Sequence, residues 1–187
     1  MKIKTSKKII IPIIVTLAII ISAIFIIRST GQEDIELSLT SLKSDTCYQF
    51  ENISWGMSVD EVNKLLPYKL QKDTAKEPLP ANIAFYKSKA KYILDNQISY
   101  ASFEFYNNEL KIIKFDFHLN ENYNQWFEQL TKKLIEMYGT ETEKLENSSE
   151  KLQSLGYRWD TNNTTLQLVL MTGDSINPSA TLGVGIK

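Results

Sequence analysis

The sequence predicts an α+β protein. An N-terminal transmembrane helix precedes one domain, in which an antiparallel β-sheet of about six strands packs two helices on one face. Three observations predict it. Residues Ile9 to Ile27 are nineteen in a row without a charge. Four segments alternate apolar side chains at period two, as half-buried strands do: Ala101-Phe103-Phe105, Ile113-Phe115-Phe117, Leu155-Tyr157-Trp159 and Leu166-Leu168-Leu170. Two further stretches, one entered at Ser58 and one at Asn122, carry apolar residues at helical spacing.

The apolar stretch comes first. At about 1.5 Å per residue, a helix of this length matches the ~30 Å hydrocarbon core. Pro12 falls near its start, where a helix tolerates proline. Lys2, Lys4, Lys7 and Lys8 precede the span; only Arg28 closely follows it, with Glu33, Asp34 and Glu36 beyond. The positive-inside rule then puts residues 1–8 in the cytoplasm, residues 9–27 among membrane lipids and the rest outside. The stretch exceeds the roughly 7–15 apolar residues of a secretory signal, and no clean Ala-x-Ala follows it. Cleavage near Ser29-Thr30-Gly31, with secretion, stands as the alternative to a single-pass cell-membrane anchor.

Beyond Arg28 the chain carries 22 acidic against 16 basic residues, a net charge of −6. That balance argues against nucleic acid, which needs concentrated basic surface. Cys47 is the only cysteine, so no internal disulfide forms. It lies too far past the span to carry a lipid. The abundance of Lys, Ile and Asn resembles that of low-GC bacterial proteins. Residues 28–46 are polar with loosely spaced leucines and read as a stalk; residues 47–187 read as the extracytoplasmic domain.

Ser58 and Glu61 have capping-box spacing, and Val59, Val62, Leu65 and Leu66 line one face of a first helix that Pro67 ends. Gly56 allows a sharp turn ahead of the cap. Gln71 to Asn82 reads as a loop, because Pro78 and Pro80 deny regular structure. A strand is expected within Phe85 to Leu94. In the next hairpin both apolar sets sit at odd positions, which demands an odd loop. Tyr106-Asn107-Asn108, with Asn108 left-handed, satisfies it. The second helix runs from Tyr123 to Tyr138, capped by Asn122 and stopped by Gly139. Trp126, Phe127, Leu130, Leu134, Met137 and Tyr138 form its apolar stripe. The acidic stretch Thr140 to Lys151 reads as a solvated loop. In the second hairpin the apolar sets differ in parity, so an even loop is required. Asn162-Asn163 supplies it, pairing Trp159 with Leu166 and Tyr157 with Leu168. A last strand spans Ala180 to Ile186. The order is a helix with three strands, twice.

The lead-in Phe50-x-x-Ile53-x-Trp55-Gly56-Met57-Ser58-x-x-Glu61-Val62, with the hairpin Phe105-Tyr106-Asn107-Asn108-Glu109-Leu110-Lys111, resembles small exported bacterial domains of the beta-lactamase-inhibitor-protein-like kind. That superfamily includes the small outer-membrane assembly lipoprotein. The resemblance covers about Phe50 to Lys187. It implies helix-then-strands units that bind other proteins across the sheet. The lipoprotein members need a cysteine directly after the signal, and this chain has none there, so the resemblance implies anchoring by the membrane helix instead.

Little in the chain reads as chemistry. His118 is the only histidine and falls at a strand end among Lys114 and Asp116. One His and one Cys make no zinc spacing. There is no Gly-x-Ser-x-Gly and no glycine-rich phosphate loop. Paired carboxylates can serve a glycosidase, and Glu104 and Asp116 lie on adjacent strands of the outer face, where such charges usually make a solvated surface. The expectation is a non-catalytic module with no cofactor and no metal. If the helices cover Phe103, Phe115, Trp159 and Leu168, the opposite face shows Tyr100, Ile112, Arg158, Val169 and Met171 among polar neighbours. Tyrosine, arginine and methionine there suit an interface with an envelope or extracellular protein. Two alternatives stand beside this binding module: an accessory domain whose sheet face is covered internally, and a carboxylate-dependent envelope hydrolase.

Overall fold

Alternating side chains build long hairpins, and the turn residues between them set the register. The computed structural model describes residues 34–76, 79–149 and 151–187. The expected cytoplasmic tail, membrane span and first part of the stalk lie outside the described residues. Among the described residues, no helix is long and apolar enough to cross a membrane.

Strands β1 (Asp34–Glu36), β2 (Gln71–Lys72), β3 (Ile83–Leu94), β4 (Gln97–Tyr106), β5 (Glu109–His118), β6 (Glu143–Ser148), β7 (Gln153–Asp160), β8 (Thr164–Gly173) and β9 (Ile176–Ile186) form one sheet. Its order is β1-β3-β4-β5-β9-β8-β7-β6, with β2 also on β3. Every pairing is antiparallel except β1 with β3, so the sheet is mixed. Helices α1 (Val59–Leu65) and α2 (Tyr123–Tyr138) complete a sheet-dominated α+β fold.

Strand β9 joins the two halves. Across β5, β9, β8 and β7, Phe115 faces Leu182, Leu182 faces Leu168, and Leu168 faces Tyr157. Cross-strand partners share a face, and Trp159 lies two residues from Tyr157. Phe115 and Trp159 are therefore on one side. That side is buried: Phe103, Phe115, Trp159, Leu168 and Leu182 belong to one core with Val62 of α1 and with Trp126, Phe127, Leu130 and Leu134 of α2.

The structure corrects several expectations. The described residues from Asp34 onward form one compact unit, so residues 34–46 are not stalk. Leu37, Leu39 and Leu42 are buried, with Leu39–Leu42 in a 3-10 turn, because α1 has only seven residues and leaves core to cover. Phe50 fills the centre, its ring 5.1 Å from Phe115 and 5.8 Å from Tyr92 in edge-on geometry. There are nine strands rather than about six among the described residues. The acidic stretch holds β6, a nearly wholly exposed edge strand whose charges hide its period from a hydrophobic reading. The Gln71–Asn82 segment is not all loop, since β2 pairs with β3 at Gln71↔Lys87 and Lys72↔Tyr86. Leu65 and Met137 leave their expected stripes for solvent.

The β4–β5 turn is two residues, not three. Asn107 (φ 53°) and Asn108 (φ 62°) are both left-handed, and Tyr106 faces Glu109. A bulge then restores the expected facing: Phe105 pairs with Leu110, but Glu104 pairs with Ile112. The extra residue, Lys111, corrects the parity that a longer loop was expected to correct. Asp95 (φ 48°) and Asn96 (φ 65°) make the same left-handed turn between β3 and β4. The β7–β8 pairs Trp159↔Leu166 and Tyr157↔Leu168 form as read, yet Asn162 and Asn163 are not left-handed. Thr161 and Thr164 clasp that turn instead, Oγ1 to Oγ1 at 2.7 Å. Asn122 caps α2 with its main chain alone. It is itself left-handed (φ 71°), and its carbonyl accepts from the Trp126 amide at 3.2 Å.

Candidate binding face

The registers fix the side opposite the helices strand by strand. One row runs Tyr100, Asp116, Thr181, Val169 over β4, β5, β9 and β8. The next runs Ser102, Lys114, Gly183, Gln167, Arg158. A third runs Glu104, Ile112, Gly185, Thr165, Asp160. Met171 faces Ser179, which faces His118. All five expected contact residues thus lie on this face, and neither helix covers it.

They do not form one cluster. Tyr100 and Val169 share a row but stand three strand spacings apart, about 14 Å. Met171 adjoins Val169 along β8. Ile112 sits two rows from Tyr100, beside Glu104. Arg158 is already engaged: its Nη2 lies 2.5 Å from Glu143 and its Nε 3.4 Å from Asp160, while Lys187 reaches Asp160 at 3.2 Å. Such a partnered guanidinium contributes shape more than free charge.

Ile98 was not expected on the face. It is 46% exposed beside the 40% exposed Tyr100, and with its partner Ile93 it forms the apolar end of the face. Ile98 has the same parity as Tyr100, but β4 begins before the alternation read from Ala101 onward. Leu145 also lies here, opposite Gly156, hidden from sequence reasoning because β6 read as a loop.

Glu104 is only 4% exposed although it faces away from the core. Phe85 and Ile112 flank it across the strands, and the Lys114 ammonium meets its Oε1 in an ion pair. Asp116 lies opposite Tyr100, four residues along β5 from Ile112, the partner of Glu104. The backbone separation of the two carboxyl-bearing residues is therefore about 14 Å, and each carboxylate has a partner of its own. Asp116 accepts from Thr181 Oγ1 at 2.7 Å.

The titratable groups with the largest shifts lie on the helix side. Burial, then the neighbouring Tyr92, pushes the Tyr68 hydroxyl far up, and the two hydroxyls hydrogen-bond each other. Burial lifts Tyr92 to about 12, and burial with Tyr48 lifts Tyr138 to about 12. These phenols stay protonated and act as packing groups with satisfied polar ends. His118 is exposed at the end of β5. Cys47 is half-buried, its Sγ 3.1 Å from Ser44 Oγ. No cluster of metal-ligating side chains occurs among the described residues.

The segment weighed as an internal cover is in part sheet, since β2 pairs with β3 at its outer edge; directly after it the buried Asp73 pairs with Lys87 at 2.9 Å, on the side of the sheet that carries Ser102 and Glu104. No protein family, no curated protein and no solved structure matches the chain.

Proposed function

We propose that this chain is a membrane-anchored, extracytoplasmic binding module of the bacterial envelope, non-catalytic, which holds a protein partner against the sheet face opposite its helices. One observation carries the reading. Both helices and the N-terminal segment pack on the same side of the sheet, and the other side presents large apolar groups, Ile98 and Tyr100, among polar ones. Neighbouring apolar side chains exposed on an otherwise polar sheet face suit contact with another protein. The anchor rests on the charge-free stretch 9–27 with its four preceding lysines, and the outward orientation on the positive-inside rule. The resemblance to beta-lactamase-inhibitor-protein-like domains supports protein rather than small-molecule binding. The net charge of −6 beyond the anchor supports a partner other than nucleic acid.

The test is capture by the full-length chain, solubilised in detergent, from an envelope extract. The unaltered chain is expected to retain a defined protein. Tyr100→Glu with Met171→Lys is expected to lose it, with thermal unfolding unchanged. Retention by the double variant would remove this face from the reading.

A further inference from the structure

The two edges of the sheet differ. One edge is made of the short strands β1 and β2, of three and two residues, whereas at the other, among the described residues, the six-residue β6 pairs with β7 alone, and five of its residues are exposed. A free strand edge is a row of unused N–H and C=O groups, blunted in many proteins by short length, proline, bulges or charged side chains. β6 reads Glu143-Lys144-Leu145-Glu146-Asn147-Ser148, with both signs of charge and no proline. We propose that β6 pairs antiparallel with β6 of a second copy of this chain, about a two-fold axis at Leu145, so that one sheet runs through two molecules.

Charge complementarity selects both the occupant and the register. With Leu145 opposite Leu145 of the second copy, Lys144 stands opposite Glu146 of the second copy, and the symmetry supplies the pair twice. Lys144 and Glu146 face Tyr157 and Leu155 across β7, so both ion pairs fall on the helix side and the leucine pair on the open side. Sliding two residues either way sets Lys144 against Lys144 or Glu146 against Glu146. A parallel in-register pair opposes every charge to its like. Within one chain Lys144 already pairs with Glu146 at 2.5 Å, so the pairs between copies form by exchange of partners. The two-fold axis stands perpendicular to the sheet and leaves both open faces on one side. The inference goes beyond the proposed function and does not depend on it.

Cross-linking tests the register. In the full-length chain carrying Cys47→Ser, Leu145→Cys is expected to give a disulfide-linked dimer under mild oxidation. Directly opposed Cα atoms lie about 4.5–5.5 Å apart, inside the disulfide range. Lys144→Cys, whose own copy is a diagonal neighbour at about 7–8 Å, is expected to link at least tenfold less. Sedimentation equilibrium in detergent tests the charges. Lys144→Glu is expected to weaken self-association about tenfold or more, and Lys144→Glu with Glu146→Lys to restore it. Circular dichroism confirms folding of each variant. A monomer at all concentrations, equal linking at 144 and 145, or a swap that fails to restore association overturns the proposal. Loss of partner capture would not move any of these readouts.

Discussion

The two halves of the sheet solve the same covering problem with different parts. In the second half one helix suffices. α2 has sixteen residues, and Trp126, Phe127, Leu130 and Leu134 press on β5 and β7, with Trp126 5.2 Å from Phe117 and Phe127 6.1 Å from Tyr157. In the first half α1 has seven residues and contributes only Val62, with Leu66 at its end, to the buried set. The missing cover comes from the segment ahead of it, where Leu37, Leu39, Leu42, Tyr48, Phe50 and Ile53 are all buried. This segment has almost no regular structure of its own. It is held by the β1 pairing, by isolated bridges such as Phe50↔Ile53, and by hydrogen bonds such as Tyr48 N to Thr164 Oγ1 at 2.7 Å. Irregular chain can thus do a helix's packing when its polar groups find partners across the domain.

The largest expected effect tests that equivalence. Leu42, in the irregular segment, and Leu130, in α2, are both fully buried. Leu→Ala at either site is expected to cost about 2–5 kcal/mol in urea unfolding. Were residues 34–46 only a tether, Leu42→Ala would shift the midpoint by no more than a surface change does, within about 0.5 kcal/mol. A cost at Leu130 without one at Leu42 would therefore break the comparison.

The regular parts of this fold were legible because each rests on a local rule. Alternation placed Phe103, Phe115, Trp159 and Leu168 on one side, the capping spacing placed Ser58, and the parity of Trp159 and Leu166 set the second hairpin. What stayed illegible rests on tertiary partners. Leu37, Leu39 and Leu42 show no period, since an irregular segment packs wherever the sheet is bare. β6 carries charges because one of its edges and most of its surface meet solvent. On the candidate face the five expected residues follow from parity. Ile98 escapes that reading because β4 begins before the alternating run, and Leu145 because the charges of β6 make it read as a loop. The two Asn-Asn turns looked alike, and only their environments separate them: left-handed backbone at Asn107-Asn108, a threonine clasp at Asn162-Asn163. Asn108→Ala is accordingly expected to cost about 1–2 kcal/mol, the penalty for an alanine in the left-handed region. Asn163→Ala should change urea stability by less than about 0.5 kcal/mol. Equal costs at the two turns would mean that the clasp does not carry the second one.

The smallest expected effect concerns how the short helix begins. Ser58 N and Oγ donate to the Glu61 carboxylate at 2.8 Å and 2.7 Å, while the Glu61 amide donates back to Ser58 Oγ. Ser58→Ala removes the side-chain half of the cap, leaving the backbone N–H of residue 58 on Glu61, and is expected to cost about 1 kcal/mol. α2, whose Asn122 makes no side-chain cap bond, offers no such handle. The hydrogen bond from the Ser58 backbone, then that from its side chain, holds Glu61 below its ordinary value of 4.5. A carboxylate depressed in the folded state stabilises it above the unfolded value, and that contribution is lost as pH falls through the folded value. Below both values nothing of it remains. The unaltered chain should therefore lose urea stability more steeply below about pH 4.5 than Glu61→Gln, which has no carboxylate to titrate. Parallel acid limbs in the two proteins would show that the cap does not hold the carboxylate, and that α1 starts, like α2, from its main chain alone.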